Sequence, residues 1–159
     1  MSNKYRFDSR TRKQFEKDIK EGTEIESEII SRFVKLFNPP KKYKNTGCDN
    51  TGKYLEKDEV NTQADYEIEG IGAVEIKFSK PFLGDFFHLK VSQVRSYLKQ
   101  KATILMVHGT NHEIPEYVLI DLNTLQTITK KCPIVNWKGF GGKKAYRIRK
   151  DMFIWAPLN

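Results

Sequence analysis

The sequence has little cysteine, little histidine and no long apolar run. Cys48 and Cys132 are the only two cysteines in 159 residues. They lie far apart, with no C-x-x-C and no histidine at finger spacing, which argues against a disulfide framework and against a structural zinc site. Ordinary reduced thiols are expected. Of the three histidines, His108 and His112 stand four apart, but across a strand-to-turn boundary rather than on one helix face, so a metal pair is not expected. His88 stands alone and is open to a structural or a catalytic role, the structural one being commoner for a lone histidine. No apolar stretch approaches the length of a membrane span. The N-terminal MSNKYRFDSRTRKQFEK is charged and lacks the apolar core of a secretory signal. The expectation is a soluble, intracellular protein of cytoplasm or nucleoid. No internal repeat or linker breaks the chain, so residues 1–159 are read as one domain. The GFGG at 139–142 is too short and wrongly placed for a dinucleotide loop.

Acidic residues are also in short supply. Twenty Asp and Glu face twenty-eight Lys and Arg, a net charge of +8 and a pI near 9.4. Such a balance suits a polyanionic partner. With 38% hydrophobic and 12% aromatic residues, the chain can bury a real core. The basic residues concentrate in an N-terminal arm over about 1–21 and a C-terminal ribbon over about 136–159. In the ribbon Lys138, Lys143, Lys144, Arg147, Arg149 and Lys150 alternate with Trp137, Phe140 and Tyr146.

Periodicity supplies the elements. A short helix is expected from about Ser9 to Lys20, then a break at Gly22-Thr23. Thr23 and Glu26 have the spacing of a capping box for a second helix. That helix carries Ile25, Ile29, Phe33 and Phe37 on one face and ends at Asn38-Pro39-Pro40. A short strand at Lys42 to Asn45 and a long polar loop follow. Pro81 to Asp85 reads as a loop, and a helical stripe starts near Leu89. Ala102 to Gly109 is an apolar run of central-strand length, Glu116 to Leu122 a strand beside it, and Asn123 to Lys131 a short helix opening on its own cap residue. Ala145 to Arg149 alternates like an edge strand, with Met152 to Trp155 docking on the core. A helix and an apolar strand after a hairpin imply a crossover, hence an α/β fold with a central mixed β-sheet flanked by helices.

The hairpin is TQADYEIEGIGAVEIKFSK, Thr62 to Lys80. Ala64 to Glu69 and Ala73 to Phe78 alternate around a turn at Gly70-Ile71-Gly72, with Gly70 and Ile71 as its central pair. Glu75 and Lys77 fall on one face, and Val74, Ile76 and Phe78 on the other. One face is core; the other presents carboxylate and ammonium near Asp65. Carboxylate oxygens suit Mg2+.

Asp65, nine intervening residues, then Glu75-Ile76-Lys77 resembles the PD-(D/E)xK nuclease motif, with Ala64 where that pattern usually has proline. The stretch GTEIESEIISRFVKLF is similar to the first helix of archaeal Holliday-junction resolvases in this superfamily, whose G-x-x-x-E-x-E-L pattern carries an active-site glutamate. The matching position is Glu26, with Glu24 and Glu28 as alternates. SQVRSYL resembles the family's second helix, which has a glutamine near its start, here Gln93. The resemblance spans roughly Gly22 to Val107.

The resemblance implies a restriction-endonuclease-like core and a Mg2+-dependent deoxyribonuclease, with Mn2+ as a substitute metal. It implies metal ligation by Asp65, Glu75, the Ile76 carbonyl and Glu26. Lys77 and Gln93 complete a catalytic set with Glu26, Asp65 and Glu75. DNA-backbone contacts are expected from Lys42, Lys44, Lys53, Ser79, Lys90, Lys143, Lys144, Arg147 and Arg149. The substrate is DNA, a four-way junction or duplex, cut by a homodimer. A sequence-specific restriction or homing-type endonuclease, a catalytically silent nucleic-acid-binding module of the same fold, and a chance match remain open at this stage.

Overall fold

A computed structural model of the chain describes residues 11–47 and 63–159. It opens on one long helix, α1 (Arg12–Val34), where the sequence suggests two. The capping box belongs to Thr11 and Gln14: the Thr11 hydroxyl accepts from the Gln14 N–H, and the Gln14 side chain accepts from the Thr11 N–H. Thr23 and Glu26 are therefore mid-helix residues and not a cap. Thr23 turns its hydroxyl back onto the Ile19 carbonyl at 2.9 Å, sharing the acceptor of the helical ladder, a mid-helix arrangement that slightly weakens the helix and caps nothing. Gly22 costs the helix about 1 kcal/mol relative to alanine, which the buried face of Ile29, Ile30, Phe33 and Val34 outweighs. The helix stops three residues earlier than the apolar stripe suggests, since Phe37 lies beyond it.

The main sheet has six strands in the order β1 (Tyr43–Asn45), β2 (Tyr66–Ile68), β3 (Gly72–Ser79), β5 (Thr103–His108), β6 (Glu116–Ile120) and β9 (Ala156–Pro157). Every neighbouring pair is antiparallel except β3 and β5, which run parallel. The crossover between those two passes through β4 (Phe86–Lys90) and α2 (Val91–Gln100). The sheet is mixed and helix-flanked, an α/β architecture.

The β2–β3 turn differs by one residue from the expected one. Ile68 pairs with Gly72, so Glu69, Gly70 and Ile71 form the loop. The Ile71 N–H bonds the Ile68 carbonyl at 3.0 Å, and Gly70 takes φ +77° at the third turn position, the geometry of a type II turn that favours glycine there.

A second, three-stranded antiparallel sheet was not foreseen. It has the order β4, β8 (Lys143–Arg149), β7 (Ile134–Trp137). Leu89 is in a strand, not at a helix start: Phe87 and Leu89 go inward while Phe86, His88 and Lys90 go outward. The expected edge strand at 145–149 is the central strand of this sheet, paired on both sides. The third helix, α3 (Leu122–Lys131), is capped by Asp121, one position before the helix, rather than by Asn123. Asp121 Oδ1 accepts from the Thr124 N–H at 2.8 Å, and that bond holds its carboxyl below the usual range.

Two cores sandwich the main sheet. On one side α1 packs Ile29, Ile30, Phe33 and Val34 against Tyr66, Ile68, Val74, Ile76, Leu105 and Val107, with Leu158 closing the cluster. On the other, α2, α3 and the inner face of the small sheet enclose Val94, Tyr97, Ile104, Met106, Leu125, Ile128, Tyr146 and Ile148. Of Met152 to Trp155, Phe153 and Trp155 pack against this second core as expected, whereas Met152 is exposed and Ile154 points outward, 95% exposed. Cys132 lies beside Met152, Sγ to Sδ 3.8 Å, and burial pushes its thiol up, away from the reactive thiolate. Among the described residues, no helix is long and apolar enough to cross a membrane.

Candidate functional site

The hairpin splits where its hydrogen-bonded ladder ends. The last paired residues of β2 and β3 are Tyr66 and Val74. One step further, Asp65 faces Glu75, and its side chain takes over the role of a strand partner. Asp65 Oδ2 accepts from the Ile76 N–H at 2.9 Å, and Asp65 is 6% exposed. The N–H and C=O of one strand residue face the same edge in such a ladder. The Ile76 carbonyl thus lies on the edge that Asp65 occupies. Asp65 is itself anchored through its main chain, since its carbonyl accepts from the N–H groups of Thr46 and Gly47. A bond from Thr46 Oγ1 to the Ala64 carbonyl at 2.7 Å braces the same segment.

Alternation in β3 buries Val74 and Ile76 against α1 and turns Glu75 and Lys77 toward α2. There the two side chains meet: Lys77 Nζ is 3.6 Å from Glu75 Oε1, both largely withdrawn from solvent. Tyr97, on α2, donates its hydroxyl to the same Oε1 at 3.2 Å. Its ring lies 5.7 Å from the Lys77 ammonium. One aromatic side chain therefore supports both charged groups. Sequence reasoning placed Tyr97 beside the apolar stripe and missed this role. The available signal was spacing: Gln93 and Tyr97 stand one helical turn apart and share a face. Gln93 is half-buried.

The three candidate glutamates of α1 separate clearly. Glu24 is exposed. Glu28 is exposed and paired with Arg32 at 2.7 Å. Glu26 is half-buried. Its charge is felt by the Tyr66 phenol, which is pushed up to about 12 by burial first, then by Glu26, and further by Asp65. Glu26 and Asp65 thus act on one phenol from a helix and from the bend that leads into β2.

Lysines converge on the other flank. Burial lowers the pKa of Lys90, and the nearby ammonium groups of Lys143 and Lys77 lower it further. Three like charges held together disfavour one another and make a place for an anion. Arg147 and Arg149 lie on the outer face of the small sheet, over Phe86. The remaining basic candidates do not join this group. Lys44 is paired with Glu67 at 3.7 Å near the β2–β3 turn, with Lys42 beside it, lining an open cleft with Glu67 and Glu69. Lys144 points to the opposite face of β8 from Lys143. Ser79 turns its hydroxyl to the Pro81 carbonyl at 3.3 Å. Lys53 lies outside the described residues.

The histidines have other partners. His108 is fully buried; its Nδ1 accepts from the Leu83 N–H at 2.8 Å, and Nε2 lies 3.0 Å from Glu116 Oε1. His112 leans on the Phe82 ring at 4.1 Å. His88 stacks on Trp137 at 3.8 Å and 7°. Burial, then Arg147, lowers its pKa, so it is neutral at pH 7.

Among the described residues no three His, Cys, Asp or Glu side chains form a ready metal-binding group. The oxygens around the split edge are instead the Asp65 carboxylate, the Ile76 carbonyl and the carboxylate of the adjacent Glu75, all hard donors. That set fits Mg2+, which keeps several waters and takes one or two carboxylates from a protein. Comparison with known proteins returns no matching family model, no matching curated protein and no matching solved structure.

Proposed function

We propose that this chain is a metal-dependent DNA endonuclease of the PD-(D/E)xK type, with a restriction-endonuclease-like core and a preference for branched DNA like that of Holliday-junction resolvases. One observation carries the reading. The Asp65 carboxylate sits on the Ile76 N–H at the edge where β2 leaves β3, with Glu75 and Lys77 side by side on the same strand. A structural aspartate would serve equally well with any residues at 75 and 77. Here Asp65 and the Glu75–Lys77 pair flank the same Ile76 main chain, and Glu26 of α1 acts on Tyr66, the neighbour of Asp65.

Asp65, Glu75 and the Ile76 carbonyl would hold the ion, and Glu26 would complete the set directly or through water. Bound there, Mg2+ supplies polarisation of the scissile phosphate and a lowered pKa for the attacking water. Lys77 orients that water or stabilises charge developing on the phosphate oxygens. Tyr97 fixes the Glu75 carboxylate, and Gln93 stands one turn before it. Lys90 and Lys143 hold the neighbouring phosphate. The products are a 5′-phosphate and a 3′-hydroxyl. Two symmetric nicks in a four-way junction require a two-fold dimer.

The deciding experiment is cleavage in Mg2+ of a four-way junction, a duplex, a single strand and a flap. The junction should be cut first, by paired nicks. Equal cutting of all four would remove the resolvase assignment. Binding of all four without cutting by the wild-type chain would leave a nucleic-acid-binding module.

A further inference from the structure

The small sheet has an outer face that neither core uses. Its inner face contributes Phe87, Leu89, Tyr146 and Ile148 to the second core. On the outer face, Phe86 stands across from Arg149, and His88 across from Arg147. The side chains form layers. The Arg147 guanidinium lies 4.2 Å from the Phe86 ring centre, with Arg149 at 5.8 Å. The Trp137 indole reaches over β8 to stack on His88, and Ala145, the small residue on this face between them, is fully buried. At the end nearest the candidate site, the Lys90 ammonium sits 5.1 Å from the Phe140 ring centre. Arg147, Arg149 and Lys143 are all exposed; Asp151 is paired with Arg149 at 2.7 Å, and the Asp85 carboxylate also acts on that guanidinium.

This combination has a specific chemistry. A duplex needs only a row of cations spaced along its phosphates. Flat rings and guanidinium planes alternating across a sheet serve unpaired bases, which stack on both, while neighbouring lysines and arginines neutralise the backbone. We infer that the outer face of the β4–β8–β7 sheet binds single-stranded DNA, with bases stacked on the Trp137–His88 and Phe86–Arg147 layers and phosphates held by Lys90, Lys143 and Arg149. Lys90 links this face to Lys77. On the endonuclease reading, on which this placement rests, bases opened at the branch point of the substrate lie on the small sheet while the strand to be cut enters the split of β2 and β3.

The test uses the full chain with Trp155→Phe, which leaves Trp137 as the single tryptophan. Its fluorescence is titrated, in EDTA, with an oligothymidylate of about twelve nucleotides, with inorganic polyphosphate, with a blunt duplex and with an oligouridylate of equal length. Oligothymidylate should quench Trp137 saturably, and polyphosphate should not. Phe86→Ala should weaken single-strand binding about tenfold. Arg147→Lys, which keeps the charge and removes the plane, should weaken it several-fold. Absence of quenching, equal quenching by duplex or polyphosphate, or full affinity in both variants would overturn the inference. Tighter binding of oligouridylate would overturn the assignment to DNA. Because no metal is present, a chain that stacks but never cuts retains this site and loses the nuclease. A chain that cuts without stacking does the reverse.

Discussion

Tyr97→Phe separates a held carboxylate from a merely buried ring. The substitution removes one oxygen and leaves the ring that packs in the second core and lies near Lys77. What is lost is the bond from the Tyr97 hydroxyl to Glu75 Oε1, 3.2 Å long. A hydrogen bond to a charged group contributes about 1.5–3 kcal/mol. This one is longer than the usual O–H···O distance, so about 1.5 kcal/mol applies, roughly a tenfold effect. Glu75 then has Lys77 as its fixed neighbour at 3.6 Å, and the ammonium draws it away from the split edge. The expected outcome is a tenfold loss of cleavage at limiting Mg2+, partly recovered by raising the metal concentration, with a thermal midpoint lowered by about 3–6 °C and folding kept at the assay temperature. Loss of a partner that orients a metal ligand costs about ten- to a hundred-fold in affinity or activity in comparable sites. Unchanged cleavage across the metal titration, in a chain that folds normally, would refute the role given to Tyr97.

Other expectations follow from the same geometry. Phe33 is fully buried and makes edge contacts with Phe37 at 5.4 Å and Tyr117 at 5.6 Å; Phe33→Ala should cost about 3–5 kcal/mol, seen as a lower urea midpoint. Burial lowers the pKa values of His88 and His108 in the fold. Between the folded and unfolded values the unfolded chain binds more protons, so stability should be full above about pH 6.5 and fall as the pH drops below it. His108→Gln should flatten that fall in a series of thermal melts, and an unchanged slope would contradict it. Lys143→Ala should lower the slope of log binding constant against log salt by about one for duplex DNA; an unchanged slope would take Lys143 out of phosphate contact.

Local alternation made β3 legible. Residues 73–78 carry a strict two-residue period with one face buried, so the opposition of Val74 and Ile76 to Glu75 and Lys77 could be read directly. The central β5 was legible as an unbroken apolar run. The fused α1 was not, because Gly22-Thr23 carries a local stop signal that packing of the downstream face outweighs. The small sheet was hidden for two reasons. The alternating FFHLK runs straight into a helical period at Val91, and the partners of β8 lie 6 to 12 residues before it in β7 and 55 to 63 residues before it in β4, as in Ile134 to Tyr146 and Phe86 to Arg149. Pairing across such distances leaves no mark on either segment alone. The contact between Tyr97 and Glu75 is of this kind too, set by how α2 docks on the sheet.

The central claim is that Asp65 carries a charge the reaction needs. Asparagine at that position keeps a side-chain oxygen able to accept from the Ile76 N–H, so the split edge survives while the negative charge is lost. The measurement is Mg2+-dependent cleavage of a four-way junction by wild-type and Asp65→Asn chains of matched thermal midpoint. The account predicts cutting by the first and none above background by the second, with junction binding retained. Equal rates in the two chains would contradict it.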